Sequence, residues 1–204
     1  AARILSAFVR SSPDSPTTHE VCTELVVHVA RDEQQDAAGG GLGPRVLDDL
    51  REYIFGCGAK ARAPEILKLF ASVHQCGARS LLPRLLRAHR RAVGADRQRS
   101  DAAELAAQLL SAFSAAPEPA TMSGLQALSQ AAPEVLAGHL NALGVFLAVG
   151  STPGVGEEVL ALGACRVLAD VLQALGSSAA RALSPWAWSR LDALASRHSS
   201  RLAR

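Results

Sequence analysis

Arginine is the residue type with the clearest potential for chemistry in this sequence. Of the 21 basic residues, all but Lys60 and Lys68 are arginines. The planar guanidinium group binds a phosphate with two hydrogen bonds and stacks on flat rings. A GC-rich genome would also enrich arginine, together with alanine and glycine, so the composition alone leaves both explanations open.

The arginines gather in two segments that have helical spacing. Arg84, Arg87 and Arg91 stand at i, i+3 and i+7, which places them in one stripe along a helix. Near the C-terminus, four arginines at intervals of seven, four and three residues would also share one side of a continuous helix. Such stripes can follow the phosphates of a nucleic acid, or they can be solvated faces whose stems cover apolar neighbours. The candidate binding residues are Arg84, Arg87, Arg90, Arg91, Arg97, Arg99, Arg190, Arg197, Arg201 and Arg204.

Other residue types do not form a recognisable catalytic, metal or cofactor motif. The four cysteines are too far apart for a CxxC motif, and the six histidines lack partners at a metal-ligand spacing. The glycine-rich stretches 39–43 and 154–156 lack the Lys-Ser/Thr pair of a phosphate-binding loop. A Cys–His pair could still form through tertiary contact. We predict no catalytic residues, no metal, no cofactor and no small-molecule substrate.

Two tryptophans stand close together near the C-terminus. Trp186 and Trp188 are two residues apart and cannot share one face of a helix. We expect one of them in the core. The other would stack on a base or contact a partner, and we favour a protein contact.

The composition favours helices packed on one another. Hydrophobic residues make up 49% of the chain but aromatic residues only 4%, so the core consists of small aliphatic side chains rather than those preferred by strands. The formal net charge of +2 is lower than that of many nucleic-acid-binding domains. We expect no membrane span, because no segment holds about 20 uninterrupted apolar residues.

Similar segments recur along the chain and suggest a repeat. Residues 1–8 and 106–113 are identical at six of eight positions, and residues 134–143 form a weaker copy. A second apolar segment follows each later copy, so the predicted unit is a helical hairpin. We expect the alanine shared by the copies, at Ala7, Ala112, Ala142 and Ala193, to be buried where a partner helix approaches.

Start and stop signals mark the predicted helices. Pro64 and Pro133, each followed by an acid, are typical of helix starts, and Asp101 with Glu104 has the spacing of a capping box. Gly77, Gly94, Gly150 and Gly176 each follow an apolar stretch, as C-terminal glycines do. The polar, glycine-rich stretch 33–43 predicts a flexible loop.

The motif at 104–113, its copy at 1–8 and the segment at 184–195 together resemble a known group of repeats. They are similar to the helical repeats of FAST-kinase-like, octotricopeptide and RAP-domain proteins of mitochondria and plastids. The resemblance covers about half of the chain and implies an organellar location with a role in RNA binding, RNA maturation or the organellar ribosome. The strand-and-helix alternation of a RAP module is not visible, so the resemblance implies no nuclease-like activity.

Together these observations predict an all-α protein, an α-α superhelix of about eight to ten helices. Residues 1–32 would form a first hairpin that starts inside a repeat, 33–43 a loop, and 44–204 the stacked hairpins. We expect a non-catalytic mitochondrial protein, with a plastid as the alternative, that binds RNA and neighbouring proteins of a large complex such as the mitochondrial ribosome. The alternative function is an armadillo- or HEAT-like protein scaffold.

Overall fold

A computed structural model describes residues 2–35, 44–56, 58–78, 80–139 and 155–176, with isolated residues between positions 185 and 196. Every regular element in this part of the chain is a helix, which confirms the all-α prediction. The helices are α1 (Ala2–Ser11), α2 (Pro16–Gln35), α3 (Pro44–Phe55), α4 (Ala63–Gln75), α5 (Leu81–Val93), α6 (Ala95–Ala115), α7 (Pro119–Ala131), α8 (Pro133–Leu136, continued by the 3₁₀ turn Ala137–His139) and α9 (Val155–Leu175).

The helix ends follow the proline and glycine signals of the sequence. Pro64 and Pro133 lie in the first turns of α4 and α8, where the proline nitrogen leaves no helical hydrogen bond unmade. Gly94 separates α5 from α6 with a φ of 85°, a conformation that glycine adopts without strain. Gly77 and Gly176 also have positive φ values, so three of the four predicted terminal glycines are confirmed. Gly150 lies outside the described residues.

The helices pack in two rows. In one row α1 contacts α3, and α3 contacts α5. In the other, α2 contacts α4, α4 contacts α7, and α7 contacts α9. Helix α6 joins α4 and α5, and α8 joins α6, α7 and α9. The buried apolar side chains of these helices form one connected core cluster.

The largest helix-helix interface lies between α4 and α7. Gly124 of α7 lies so close to α4 that a Cβ atom there would overlap the backbone carbonyl of Leu67. On the neighbouring helix α9, Gly163 packs in the same way against the Met122 side chain of α7. Small residues at these positions let the helix backbones approach closely.

Two predicted boundaries differ from the structure. Helix α6 begins at Ala95, so Asp101 lies inside the helix and does not cap it. Helix α2 continues to Gln35, three residues into the predicted loop, because glutamate and glutamine are good helix formers. Residues 36–43 lie outside the described residues.

The repeated alanine does not occupy a repeated environment. Ala7 and Ala193 are exposed, Ala112 is half-buried, and Ala142 lies outside the described residues. Ser6 donates a hydrogen bond to Asp49 of α3, whereas its counterpart Ser111 is exposed. The predicted burial is therefore wrong at Ala7 and Ala193, because burial depends on which helices stand beside each copy. A charge at the half-buried Ala112 should cost less than one in the core.

Among the helices that the structure describes, none is both long enough and apolar enough to cross a bilayer.

The close approach of α4 and α7 leads to a testable prediction. Gly124→Ala should lower the free energy of unfolding by about 2 kcal/mol, because steric overlap with the Leu67 carbonyl outweighs the better helix propensity of alanine. Gly138→Ala is the matched control, since no atom lies within 4 Å of a Cβ built there. Urea denaturation measures both variants. Equal stability of the two would show that Gly124 does not set this interface.

Candidate functional site

Helix α5 presents a face of arginines opposite its buried side. Leu81, Leu82, Leu85 and His89 are buried, while the other side carries the four basic residues that we call the α5 arginine face. The helix contains no aspartate or glutamate, so no acid on α5 neutralises this face. Its members are Arg84, which is half-buried, and the exposed Arg87, Arg90 and Arg91.

The spacing along α5 suits a chain of phosphates. Arg84, Arg87 and Arg91 fall within one stripe, as the sequence predicts. At a rise of about 1.5 Å per residue the stripe is about 10 Å long, so each guanidinium can meet a different phosphate. The Nε of Arg87 donates to the Pro83 carbonyl at 3.2 Å, which turns the Arg87 side chain back towards the start of α5.

Two other predicted binding residues belong to ion pairs on α6. Arg97 donates to Asp101 at 2.9 Å and Arg99 lies 3.4 Å from Asp96. Both are exposed pairs within one helix, a kind that contributes little to stability. Since each has an acid beside it, these two arginines add less positive potential than the α5 arginine face.

The C-terminal candidates lie outside the described residues, namely Arg190, Arg197, Arg201 and Arg204. The same holds for Trp186. The side chain of Trp188 is 44% exposed, so it is not the core tryptophan.

A buried histidine holds α5 in place. His89 is only 2% exposed, and its ring stacks on Phe55 of α3 with centroids 4.0 Å apart. Its Nε2 lies 2.9 Å from an Asp101 oxygen of α6, and the other Asp101 oxygen accepts from Arg97. The His89 side chain therefore fastens α5 to both neighbouring helices. Sequence reasoning missed this pair because the two partners sit on different helices.

A second polar cluster joins α3 to the segment before α4. Arg62 is 3% exposed and donates from Nε and Nη2 to the Tyr53 carbonyl at 3.2 and 3.0 Å. Its Nη1 forms an ion pair with Asp14 at 2.8 Å. These bonds satisfy most of a buried guanidinium, which is the condition for keeping such a group in a protein interior.

Next to Arg62, the buried Cys22 and the half-buried His19 stand three residues apart on α2. Burial raises the pKa of the Cys22 thiol to about 12, against the opposing influence of Arg62. Burial lowers the pKa of His19, whose Nδ1 lies 3.4 Å from the Tyr53 hydroxyl. A thiol this weakly acidic is protonated at neutral pH and is a poor nucleophile. This cluster is therefore suited to packing rather than to covalent chemistry.

Within the ranges that the structure describes, histidine, cysteine, aspartate and glutamate do not form a group of three or more that could hold a metal ion.

Comparison with known proteins gave no relative. A scan against protein-family models, a search of curated proteins and a search of solved structures found no match to this chain. The resemblance to organellar helical repeats stays a prediction.

The raised pKa of Cys22 predicts a loss of stability in alkali. The unfolded thiol ionises near pH 9.0, whereas the folded thiol ionises near pH 12, so the folded state holds its proton longer and stability falls as pH rises between these values. Cys22→Ala should make this decline less steep, as measured by urea midpoints from about pH 8 to pH 11. Identical slopes for wild type and variant would contradict the assignment.

Proposed function

We propose that this chain is a non-catalytic helical protein that binds RNA through the α5 arginine face. The observation that carries the proposal is the arrangement of four arginines on one side of an acid-free helix. We further propose that the helices form an α-α superhelix, which the alternation of α1 to α5 between two rows supports. The protein would work in an organellar ribonucleoprotein, and the mitochondrial ribosome is the setting we favour over a plastid complex.

Phosphate binding rather than base reading is the expected role of this face. Arginines in a row along one helix meet successive backbone phosphates, which fix position but carry no sequence information. Each neutralised phosphate releases counterions, so the affinity should depend steeply on salt.

The anchoring of α5 supports the proposal. Because Phe55, His89 and Asp101 fix the helix on its buried side, the arginines project from a backbone that is already ordered. Less conformational freedom is then lost on binding. Only the arginine side chains themselves must become ordered.

A protein scaffold is the alternative function. Val159 and Trp188 are the large hydrophobic residues that stand exposed in the described part, at 49% and 44%. Single exposed apolar side chains are common on soluble proteins and do not mark an interface. The concentrated charge on α5 therefore favours RNA over a purely protein-binding role.

The RNA proposal is tested with Arg84→Gln, Arg87→Gln and Arg91→Gln combined. We expect weaker binding to every RNA sequence and a salt slope reduced by about two to three units. Fluorescence anisotropy with a labelled single strand, repeated across a salt series, measures both quantities. The fold should persist, because the exposed charges of Arg87 and Arg91 contribute little to stability and glutamine keeps much of the apolar stem of the half-buried Arg84.

The matched control removes the same charge elsewhere. Arg45, Lys60 and Lys68 are exposed and lie off α5, so replacing all three with glutamine changes the net charge equally. This control should keep most of the affinity. If both triple variants bind alike, the α5 arginine face is a solvated surface and the scaffold function takes its place.

The organellar location has a separate test. A fluorescent fusion of the full-length protein should colocalise with a mitochondrial marker in its own cells. A purely cytosolic signal would reject the location while leaving the RNA-binding proposal standing.

A further inference from the structure

A cleft with a mixed polar and apolar lining lies beside the start of α5, between the ends of α4, α7 and α9. Its volume is about 530 Å³, within the range of small-ligand sites. Leu82, Pro83 and Ala131 form apolar parts of the wall. The polar lining comes from His74, Ser129, Gln130, Asp170 and Gln173. We call this the Asp170 cleft.

The Asp170 carboxylate contacts a serine hydroxyl of α7. Its Oδ2 lies 2.8 Å from the buried Ser129 hydroxyl, which also lies 2.9 Å from the Gln126 carbonyl. A carboxylate has two oxygens and about four acceptor sites, so one bond from Ser129 leaves acceptors for a ligand. Because an ionised carboxylate only accepts hydrogen bonds, the ligand must present donors.

Serine, histidine and aspartate also occur together in hydrolase sites, where the base that activates the serine is often a histidine bonded to its hydroxyl. Here the Ser129 hydroxyl contacts the Asp170 carboxylate, and among the described contacts it makes none with His74. The described contacts therefore do not form a Ser–His pair, and the Asp170 carboxylate lines the cleft as a hydrogen-bond acceptor.

The cleft adjoins the α5 arginine face. Pro83 lines it, and the carbonyl of Pro83 accepts the hydrogen bond from Arg87 Nε. The guanidinium that would bind a phosphate thus lies beside the wall of the cleft. A base attached to that phosphate could turn into the cleft, as unstacked bases do in single-stranded RNA.

We propose that the Asp170 cleft binds one unstacked guanine base of the RNA held by α5, an inference that rests on the proposed function. Guanine presents two adjacent donors, N1–H and the N2 amino group, on its Watson–Crick edge. These match the two oxygens of one carboxylate, whereas adenine, cytosine and uracil offer this carboxylate only a single donor group. The Gln130 and Gln173 amides supply donors for the guanine O6, and the Pro83 ring offers a flat apolar surface to the base.

The first experiment compares labelled oligouridines of about ten nucleotides that contain one guanine, one inosine or one adenine. Wild type should bind the guanine strand about tenfold more tightly than the other two, since inosine lacks the N2 amino group and adenine reverses the donor pattern. Asp170→Asn should remove this preference, because the amide nitrogen faces the guanine donors. The asparagine oxygen still accepts from Ser129, so the fold is retained.

Glu134→Gln is the charge-matched control for Asp170→Asn. Glu134 is an exposed carboxylate on α8, and its replacement raises the net charge by the same amount. This control should bind all strands slightly more tightly and keep the guanine preference. Loss of the preference in both variants would assign it to charge and overturn the inference.

A second experiment separates the cleft from the arginines. Free guanosine, which carries no phosphate, should shift the NMR signals of His74 more than adenosine does, in wild type and in the α5 triple variant alike. If wild type shows neither a guanosine shift nor a guanine preference in RNA, the cleft inference fails even where salt-dependent RNA binding persists. If guanosine binds in an Asp170-dependent manner but the triple variant binds RNA normally, the α5 proposal fails and the cleft remains.

Discussion

The close packing of α4 on α7 is the contact on which the rest of the structure depends. The backbone of α7 at Gly124 lies against the Leu67 carbonyl of α4, and these two helices share the largest interface in the described chain. Helix α4 also contacts α2 and α6, and α7 contacts α8 and α9. The close approach of the α4 and α7 backbones thus sets the spacing in the middle of the row formed by α2, α4, α7 and α9. A protein interior is close-packed, so a shift here would propagate to the neighbouring helices.

Both proposed binding surfaces inherit their geometry from this contact. The Asp170 cleft is bordered by the C-terminal ends of α4, α7 and α9, and its carboxylate is set by a bond from Ser129 of α7. Helix α5 reaches the same region through Leu82, which is buried in the core and also lines the cleft. The arginine face is then oriented by His89 on the opposite flank. The packing of the core helices therefore determines the positions of the charged side chains on the surface.

Local signals in the sequence predicted much of the fold and one part of the site. Prolines and glycines act within a single turn, so Pro64 and Pro133 predicted the starts of α4 and α8 within a residue or two. Gly77 and Gly94 predicted the ends of α4 and α5 equally well. The stripe of Arg84, Arg87 and Arg91 depends only on helical periodicity. The His89–Asp101 pair and the cleft could not be predicted, because they join residues of different helices. The repeat gave a wrong prediction of burial for the same reason, because Ala7 and Ala112 occupy matching positions of the repeat but have different neighbouring helices.

A net charge of +2 is low for an RNA-binding protein, but the placement of the charges matters more than their sum. At physiological ionic strength the Debye length is about 8 Å, so a bound phosphate interacts mainly with charges within that distance. Within the described chain, Asp14, Asp96 and Asp101 are each paired with an arginine, while α5 carries no acid of its own. The arginines of these pairs are neutralised by an acid beside them, whereas α5 offers its arginines no acid from its own sequence. A nearly neutral protein can therefore offer a strongly basic helix to the phosphates of an RNA. Beside the start of that helix, the Asp170 carboxylate can accept hydrogen bonds from the donor groups of a nucleobase.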